Sequence, residues 1–329
     1  MTTRWGIAGT GAMAAAFLAD FDQVADAEVT AVGSRTAERA AEFAAGHGIA
    51  GAHTYRNLMA SDVDVVYVAT PHPQHHALAL AAIEAGKAVV VEKAFSATLA
   101  GAREVVDAAR ERGVFCMEAM WTRFQPAVVR ARELIAEGEI GDVFMVQADL
   151  GAFRPYDPAS RLFDPALGGG ATLDLGVYVI SVAQHFLGTP DRVTATGTRY
   201  PNDTDASAAI HLAYDDGRAA SLVCSLTSET GGRAVVMGTA GSIELAPRFH
   251  HPTRLVVRRN GQAAEEVDLP ADGRGYAHEI VEVGRCLAAG LTESPLMSLD
   301  DTLAVQWVME ETLSQLGITA HEGEVPGLA

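Results

Sequence analysis

Trp5-Gly6-Ile7-Ala8-Gly9-Thr10-Gly11-Ala12-Met13-Ala14 is the stretch that decides the fold. Trp5 to Ala8 reads as a short buried strand. Gly9 to Ala14 is a G-x-G-x-x-A string placed where that strand turns into a helix, the context in which the pattern points to a dinucleotide. Gly9 permits the tight turn, Gly11 leaves the backbone open to a pyrophosphate, and Ala14 lets the helix lie close on the strand. The residues from Thr10 to Met13 then present a helix N-terminus, whose N–H groups and dipole favour an anion. A glycine-rich turn of any α/β domain is the competing reading. Position at residue 9, at the head of a strand–helix series, favours the cofactor.

That series continues outward from the motif. Glu28–Val32, Val63–Ala69, Ala88–Val91 and Val114–Met117 are near-continuous apolar runs, as parallel strands buried on both faces require. Helical patterns separate them: Ala37–Ala45 after the N-cap candidate Thr36, Gln74–Ala85 before Gly86, and Leu99–Arg112 before Gly113. Strand and helix alternating in this way predict a doubly wound parallel sheet, a Rossmann domain over residues 1–120.

Beyond residue 120 the pattern changes, and 121–329 reads as a second, α+β domain for substrate binding and oligomerisation. Ala127–Glu137 and Thr172–Phe186 look helical, and Asp142–Leu150 looks extended. From Arg192 to Val267, turns at Asp215-Asp216-Gly217, Thr230-Gly231-Gly232 and Asn260-Gly261 punctuate several strands. Helices His278–Ala289 and Leu299–Leu316 follow. The expected result is an open, mostly antiparallel sheet, with one face left for a partner subunit.

The 329 residues exceed what one core usually serves. A net charge of −18 leaves no basic surface for nucleic acid or anionic membrane. Apolar runs are broken by charge short of the ~20 residues of a membrane span. Cys116, Cys224 and Cys286 form no C-x-x-C pair and no complete disulfide set. Met1-Thr2-Thr3-Arg4 runs directly into the motif without a leader pattern. These features predict a cytoplasmic protein. No histidine or cysteine spacing asks for a metal.

Cofactor choice is read at the end of the second strand. An acidic residue there would bind the ribose 2′-hydroxyl of NAD. The chain has Gly33-Ser34-Arg35-Thr36 instead, with Arg39 one turn on. Ser34 and the two guanidinium groups suit a 2′-phosphate, so NADP(H) is preferred and NAD(H) remains possible. Thr70-Pro71-His72 ends the third apolar run, where Pro71 would stiffen the backbone beside the nicotinamide and His72 contact the cofactor. His75 reads equally as a cofactor contact or a polar helix start. Glu92-Lys93 ends the fourth run, at the carboxyl edge where ligands bind. Lys93 there can stabilise a developing alkoxide; by position alone it reads equally as a surface lysine.

Gly9-Thr10-Gly11, Thr70-Pro71-His72-Pro73-Gln74-His75, Gly86-Lys87 and Glu92-Lys93 together resemble the glucose–fructose oxidoreductase/inositol dehydrogenase (Gfo/Idh/MocA) family. Glu118-Ala119-Met120-Trp121-Thr122-Arg123-Phe124 resembles its branch containing dimeric dihydrodiol dehydrogenase and NADP-dependent D-xylose dehydrogenase. Asp174-Leu175-Gly176-Val177-Tyr178 is similar to the family's D-x-G-x-(H/Y) element. The resemblance covers nearly the whole chain. It implies hydride transfer between a nicotinamide and a carbinol or carbonyl of a sugar, inositol or cyclic diol. It implies Tyr178 as proton donor or acceptor, Lys93 beside it, and Asp174 orienting either the lysine or a substrate hydroxyl. It also implies a homodimer or higher oligomer. Trp121 would stack on the substrate, Arg123 donate to its hydroxyls, and Phe124 and Phe153 line its pocket. The chain departs from the family's Glu-Lys-Pro at Ala94, which removes no functional group. The competing class is a non-catalytic NADP-binding sensor, which need not keep Lys93, Asp174 and Tyr178 together.

Overall fold

The computed structural model describes residues 2–328. Its strands are β1 (Thr3–Ala8), β2 (Ala27–Ser34), β3 (Gly51–Thr54), β4 (Val65–Val68), β5 (Ala88–Glu92), β6 (Cys116–Ala119), β7 (Val143–Gly151), β8 (Arg192–Arg199), β9 (Asp205–Ala213), β10 (Ala219–Ser225), β11 (Ala234–Gly238), β12 (Gly241–Leu245), β13 (Arg254–Arg259) and β14 (Glu265–Asp268). The helices are α1 (Ala12–Leu18), α2 (Ala37–His47), α3 (Tyr55–Met59), α4 (His75–Glu84), α5 (Leu99–Arg112), α6 (Pro126–Ala136), α7 (Val177–Leu187), α8 (Ala277–Ala288) and α9 (Leu299–Gln315).

The chain forms two compact units: Met1–Ala119 with Asp272–Thr302 and His321–Ala329, and Met120–Ala271 with Leu303–Ala320. This corrects the single cut at residue 120. Asp272–Thr302 returns to the first unit because Asp20 holds it there. Its buried carboxylate accepts from the backbone N–H groups of Arg274, Tyr276 and Ala277, the Tyr276 bond at 2.7 Å. An anion thereby caps the start of α8, satisfying N–H groups that a helix leaves unpaired.

The first unit carries a six-stranded parallel sheet in the order β3-β2-β1-β4-β5-β6. β4, β5 and β6 are buried at every position, as parallel strands covered on both faces are, Glu92 and Glu118 included. Thr36 caps α2 and Thr98 caps α5, each accepting from the backbone N–H three residues on. Gly48 and Gly113 end the same helices at φ 71° and 63°, where a side chain would be strained. β3 gives no apolar run to read: Gly-Ala-His-Thr is a half-buried edge strand. Trp5, Phe17, Phe21 and Tyr67 form an aromatic cluster on this sheet, with Phe17 stacked on Tyr67 at 3.7 Å.

The second unit carries an eight-stranded sheet in the order β14-β13-β12-β11-β7-β10-β9-β8, antiparallel except for β7 beside β10. Register puts one apolar row against another. Val146 faces Val236 across one pair, Val236 faces Ile243, and Ile243 faces Val257, all of them buried. α7 packs on β7, β10 and β11 from this side. The opposite face is mixed rather than a continuous apolar patch: Gln147, Ser221 and His211 stand exposed beside Val223.

The helix expected over Thr172–Phe186 begins as a π-helical turn, Thr172–Gly176, and continues as α7. Asp205, buried and held above the usual carboxylate range mainly by burial, accepts from Thr172 N–H at its start. Pro165–Leu187 is long and apolar enough, by length and composition, to cross a membrane, which corrects the expectation that no run is; most of it is buried inside the protein.

Candidate functional site

The candidate site residues fall in two sets, one on each unit. In the first, Gly9 has φ 131°, and a Cβ there would lie 2.5 Å from the carbonyl oxygen of Ala69. The turn after β1 is therefore pressed against the end of β4, and only glycine fits. A Cβ on Gly11 would meet nothing within 4 Å, so that backbone faces open space. Ala14 is fully buried, as close packing of helix on strand demands. Thr10, Ala12 and Met13 stand at this opening, partly or fully exposed. The open approach at Gly11 and the unpaired start of α1 fit a pyrophosphate.

Ser34 is buried at the end of β2, its hydroxyl 3.4 Å from that of Thr10. Arg35 and Arg39 are exposed. Both guanidinium charges reach Tyr55, where they oppose the upward push that burial gives its phenol. Two cations and two hydroxyls thus gather at the strand end where a carboxylate would mark the other cofactor. Thr70 and Pro71 are half-buried at the end of β4, and His72 is buried beside His75.

Two residues expected at the cofactor edge, His75 and Glu92, are buried. His75 is fully buried, and its ring nitrogens lie 2.8 Å from the carbonyl oxygens of Ala94 and Thr70. It ties the loop after β4 to the loop after β5. Glu92 is also buried; its carboxylate accepts from Tyr67 Oη at 2.5 Å and from Lys93 N–H at 3.2 Å. Lys93 itself is half-buried at the end of β5, and the Lys93–Ala94 peptide is cis.

In the second unit, Tyr178 lies on α7 with its ring 5.0 Å from that of His250. His250 and His251 stand 6.1 and 5.3 Å from Trp121, ring to ring. Thr122 fixes this corner by donating its hydroxyl to the His250 carbonyl at 2.7 Å. Tyr178, His250, His251 and Trp121 form a nearly continuous aromatic wall. His250-His251 reads in the sequence as a bare turn, and nothing in its spacing signals this placement. Asp174, on the π-helical turn, is half-buried and pairs with Arg161 at 3.4 Å, a partner the sequence does not suggest. π-helical turns are frequent at functional sites because they re-aim a side chain.

Arg123, expected at the substrate hydroxyls, is engaged within the second unit. It is buried and donates to Gln184 and, at 3.5 Å, to Ser181, so it braces α7 beneath Tyr178. Phe124 is buried too, whereas Phe153 is half exposed after β7.

The geometry agrees with what the chain is similar to. Residues 3–120 match the family model described as oxidoreductase family, NAD-binding Rossmann fold, and residues 128–244 match the GFO/IDH/MocA C-terminal domain. The chain is 36% identical over 331 residues to the trans-1,2-dihydrobenzene-1,2-diol dehydrogenase of Sus scrofa, covering 97% of this chain and 98% of that one. A 3-ketoreductase of Actinomadura kijaniata, solved with NADP and TDP-benzene, superposes with TM-score 0.83 at 26% identity, over 96% and 98% of the two chains. An aldose–aldose oxidoreductase of Caulobacter crescentus shares the fold, with TM-score 0.86 at 24% identity, over 96% and 98%.

The buried Glu92 predicts a pH effect on stability. Burial raises its carboxyl from 4.5 to about 7, against the opposing hydrogen bond from Tyr67 and charge of Lys93. The folded state therefore binds a proton that the unfolded state has lost. Its contribution is full below pH 4.5 and is lost as the pH rises through about 7. Nearby Glu279, pushed well above its ordinary value by burial and by the charge of Glu92, adds a slope of the same sign. Glu92→Gln should remove roughly 2–3 kcal/mol of the fall in stability over this range, read by urea unfolding from pH 5 to 8. An unchanged pH slope would show that Glu92 ionises normally in the fold.

Proposed function

The chain belongs to the GFO/IDH/MocA oxidoreductase family, and from that premise we propose that it is an NADP(H)-preferring dehydrogenase of cyclic diols, sugars or inositols, cyclic vicinal diols foremost. The observation that carries this reading is Tyr178 set into the aromatic wall of His250, His251 and Trp121. Flat rings flanking a phenol suit a cyclic substrate whose hydroxyl must exchange a proton. Near full-length similarity to trans-dihydrodiol dehydrogenases supports the choice of diol.

The nicotinamide, when bound, supplies or accepts the hydride. Lys93 hydrogen-bonds the reacting oxygen and stabilises its negative character. Tyr178 gives or takes the hydroxyl proton. Asp174, held by Arg161, orients a neighbouring substrate hydroxyl, and Arg123 positions Tyr178 through α7. Retention of Lys93, Asp174 and Tyr178 together weighs against a sensor that only binds the cofactor.

Three measurements test this reading. First, NADP+ reduction should be seen with at least one member of a panel of cyclic diols, pentoses, hexoses and inositols. On that substrate Tyr178→Phe and Lys93→Met should each lower kcat by about 10²–10⁴-fold, with cofactor binding kept. The double variant should be little worse than the poorer single one, because groups serving one proton transfer are not additive. Near-normal turnover by Tyr178→Phe would return the tyrosine to a packing role.

Second, fluorescence titration should give tighter binding of NADPH than of NADH. Arg35→Ala should weaken NADPH by roughly ten- to a hundredfold, the worth of a charge-assisted hydrogen bond, and NADH far less. Equal losses for both would remove the guanidinium from the 2′-phosphate.

Third, we propose a homodimer through the uncovered face of the second sheet, where Val223, Met145 and Val256 give partial apolar character among polar residues. Light scattering should return twice the 34.5 kDa chain mass; a monomer mass at working concentration would overturn this.

A further inference from the structure

After α9 the chain returns, over residues 321–328, to the unit that holds the glycine motif. Three contacts fix it there. Glu322 Oε1 accepts from Ser96 Oγ at 2.7 Å, Thr98 N–H at 2.8 Å and Thr98 Oγ1 at 2.7 Å. Gly323 N–H donates to the Pro73 carbonyl at 2.7 Å. Val325-Pro326-Gly327-Leu328 then closes a tight turn, Leu328 N–H to Val325 O at 3.2 Å, with φ 84° at Gly327. Proline second and a positive-φ glycine third is the type II pattern. The turn lies against Arg35: a Cβ on Gly327 would stand 2.5 Å from the Arg35 carbonyl oxygen.

The order of these contacts matters. Ser96 and Thr98 follow β5, Pro73 follows β4, and Arg35 follows β2. The segment therefore crosses the carboxyl edge of the parallel sheet, where an open α/β sheet holds its ligand. It reaches Arg35 by the backbone and leaves the side chain exposed. The charge of Glu322 is also felt by His75, the residue that joins the β4 and β5 loops.

We propose that residues 321–328 are a strap that positions the adenosine end of the cofactor site. Glu322 anchors it, and the Val325–Leu328 turn sets the backbone of Arg35. A part-buried carboxylate oxygen with three donors is held firmly, because losing it leaves the Ser96 and Thr98 donors without that acceptor. Pinning the loops before the cofactor arrives lowers the ordering cost of binding. The proposal rests on the reading that the cofactor occupies this edge and that Arg35 meets its adenosine end.

Glu322→Ala should weaken NADPH and NADH alike, by about tenfold or more in fluorescence titration. Glu322→Gln, whose amide oxygen still accepts, should restore most of the affinity. Gly327→Val, at an exposed turn, should displace the tip from Arg35 and weaken NADPH more than NADH. Thermal melts without cofactor establish that each variant is folded; should Glu322→Ala fail to fold, Gly327→Val alone decides. Dissociation constants within twofold of the parent in folded Glu322→Ala and Gly327→Val would overturn the strap. Arg35→Ala separates the two ideas. If it spares NADPH while Glu322→Ala weakens both cofactors, the 2′-phosphate reading fails and the anchoring role of Glu322 stands.

Discussion

The first unit depends on one close approach. The turn after β1 presses on the end of β4 at Gly9, where any side chain would strike the Ala69 carbonyl. β1 and β4 are neighbours in the sheet although two strands and three helices separate them in sequence. At this pair the strand order reverses direction, and successive crossover loops diverge to leave a crevice. Gly9 draws the two strand ends together. Gly11 leaves the space beyond them open, and Ala14 keeps α1 flat against the sheet. Ser34, Arg35, Thr70 and Lys93 then stand along that edge because their strands end there.

The chain returns twice to this unit, and the two anchors use the same chemistry. Asp20 collects backbone N–H groups at the start of α8, and Glu322 collects two hydroxyls and an amide beside α5. A carboxylate withdrawn from water is costly unless several donors replace its hydration. Asp20 meets that condition at both oxygens and Glu322 at Oε1, while Glu322 Oε2 is buried without a hydrogen-bond partner among the described residues; the donors lie at helix starts or in loops. The segments are thereby held at defined points, without needing a long apolar face of their own.

What the sequence made legible follows from this. The parallel sheet announces itself because β4, β5 and β6 are apolar but for Glu92 and Glu118, and α2 and α5 because threonine begins them and glycine ends them. The second sheet was legible from its turns. β3 was hidden because an edge strand of Gly-Ala-His-Thr has no periodicity. The division of the chain was misread because Asp20 and Glu322 act over some 250 and 220 residues, and a single acidic residue carries no sign of so distant a partner. Lys93, Tyr178 and Asp174 were named from their motifs. Arg123 and His75 carry equally polar side chains, but burial turned both inward; residue type reports what a side chain can bond, not whether solvent reaches it. His250 and His251 read only as a turn because their partners, Trp121 and Tyr178, are remote in sequence.

The buried acids around β5 bear on how Lys93 is held. Glu92 precedes the lysine and is fixed by Tyr67, which in turn stacks on Phe17 of α1. The helix that opens the cofactor site and the backbone that carries Lys93 are therefore joined through one phenol and one carboxyl. Glu279 on α8 is in turn pushed well above its ordinary value, by burial first and by the charge of Glu92 second. Burial holds the Glu92 carboxyl up at about 7, against the hydrogen bond from Tyr67 and the charge of Lys93. The charge of Glu92 and the placement of the Lys93 backbone thus depend on one carboxyl, which accepts from both Tyr67 and Lys93 N–H.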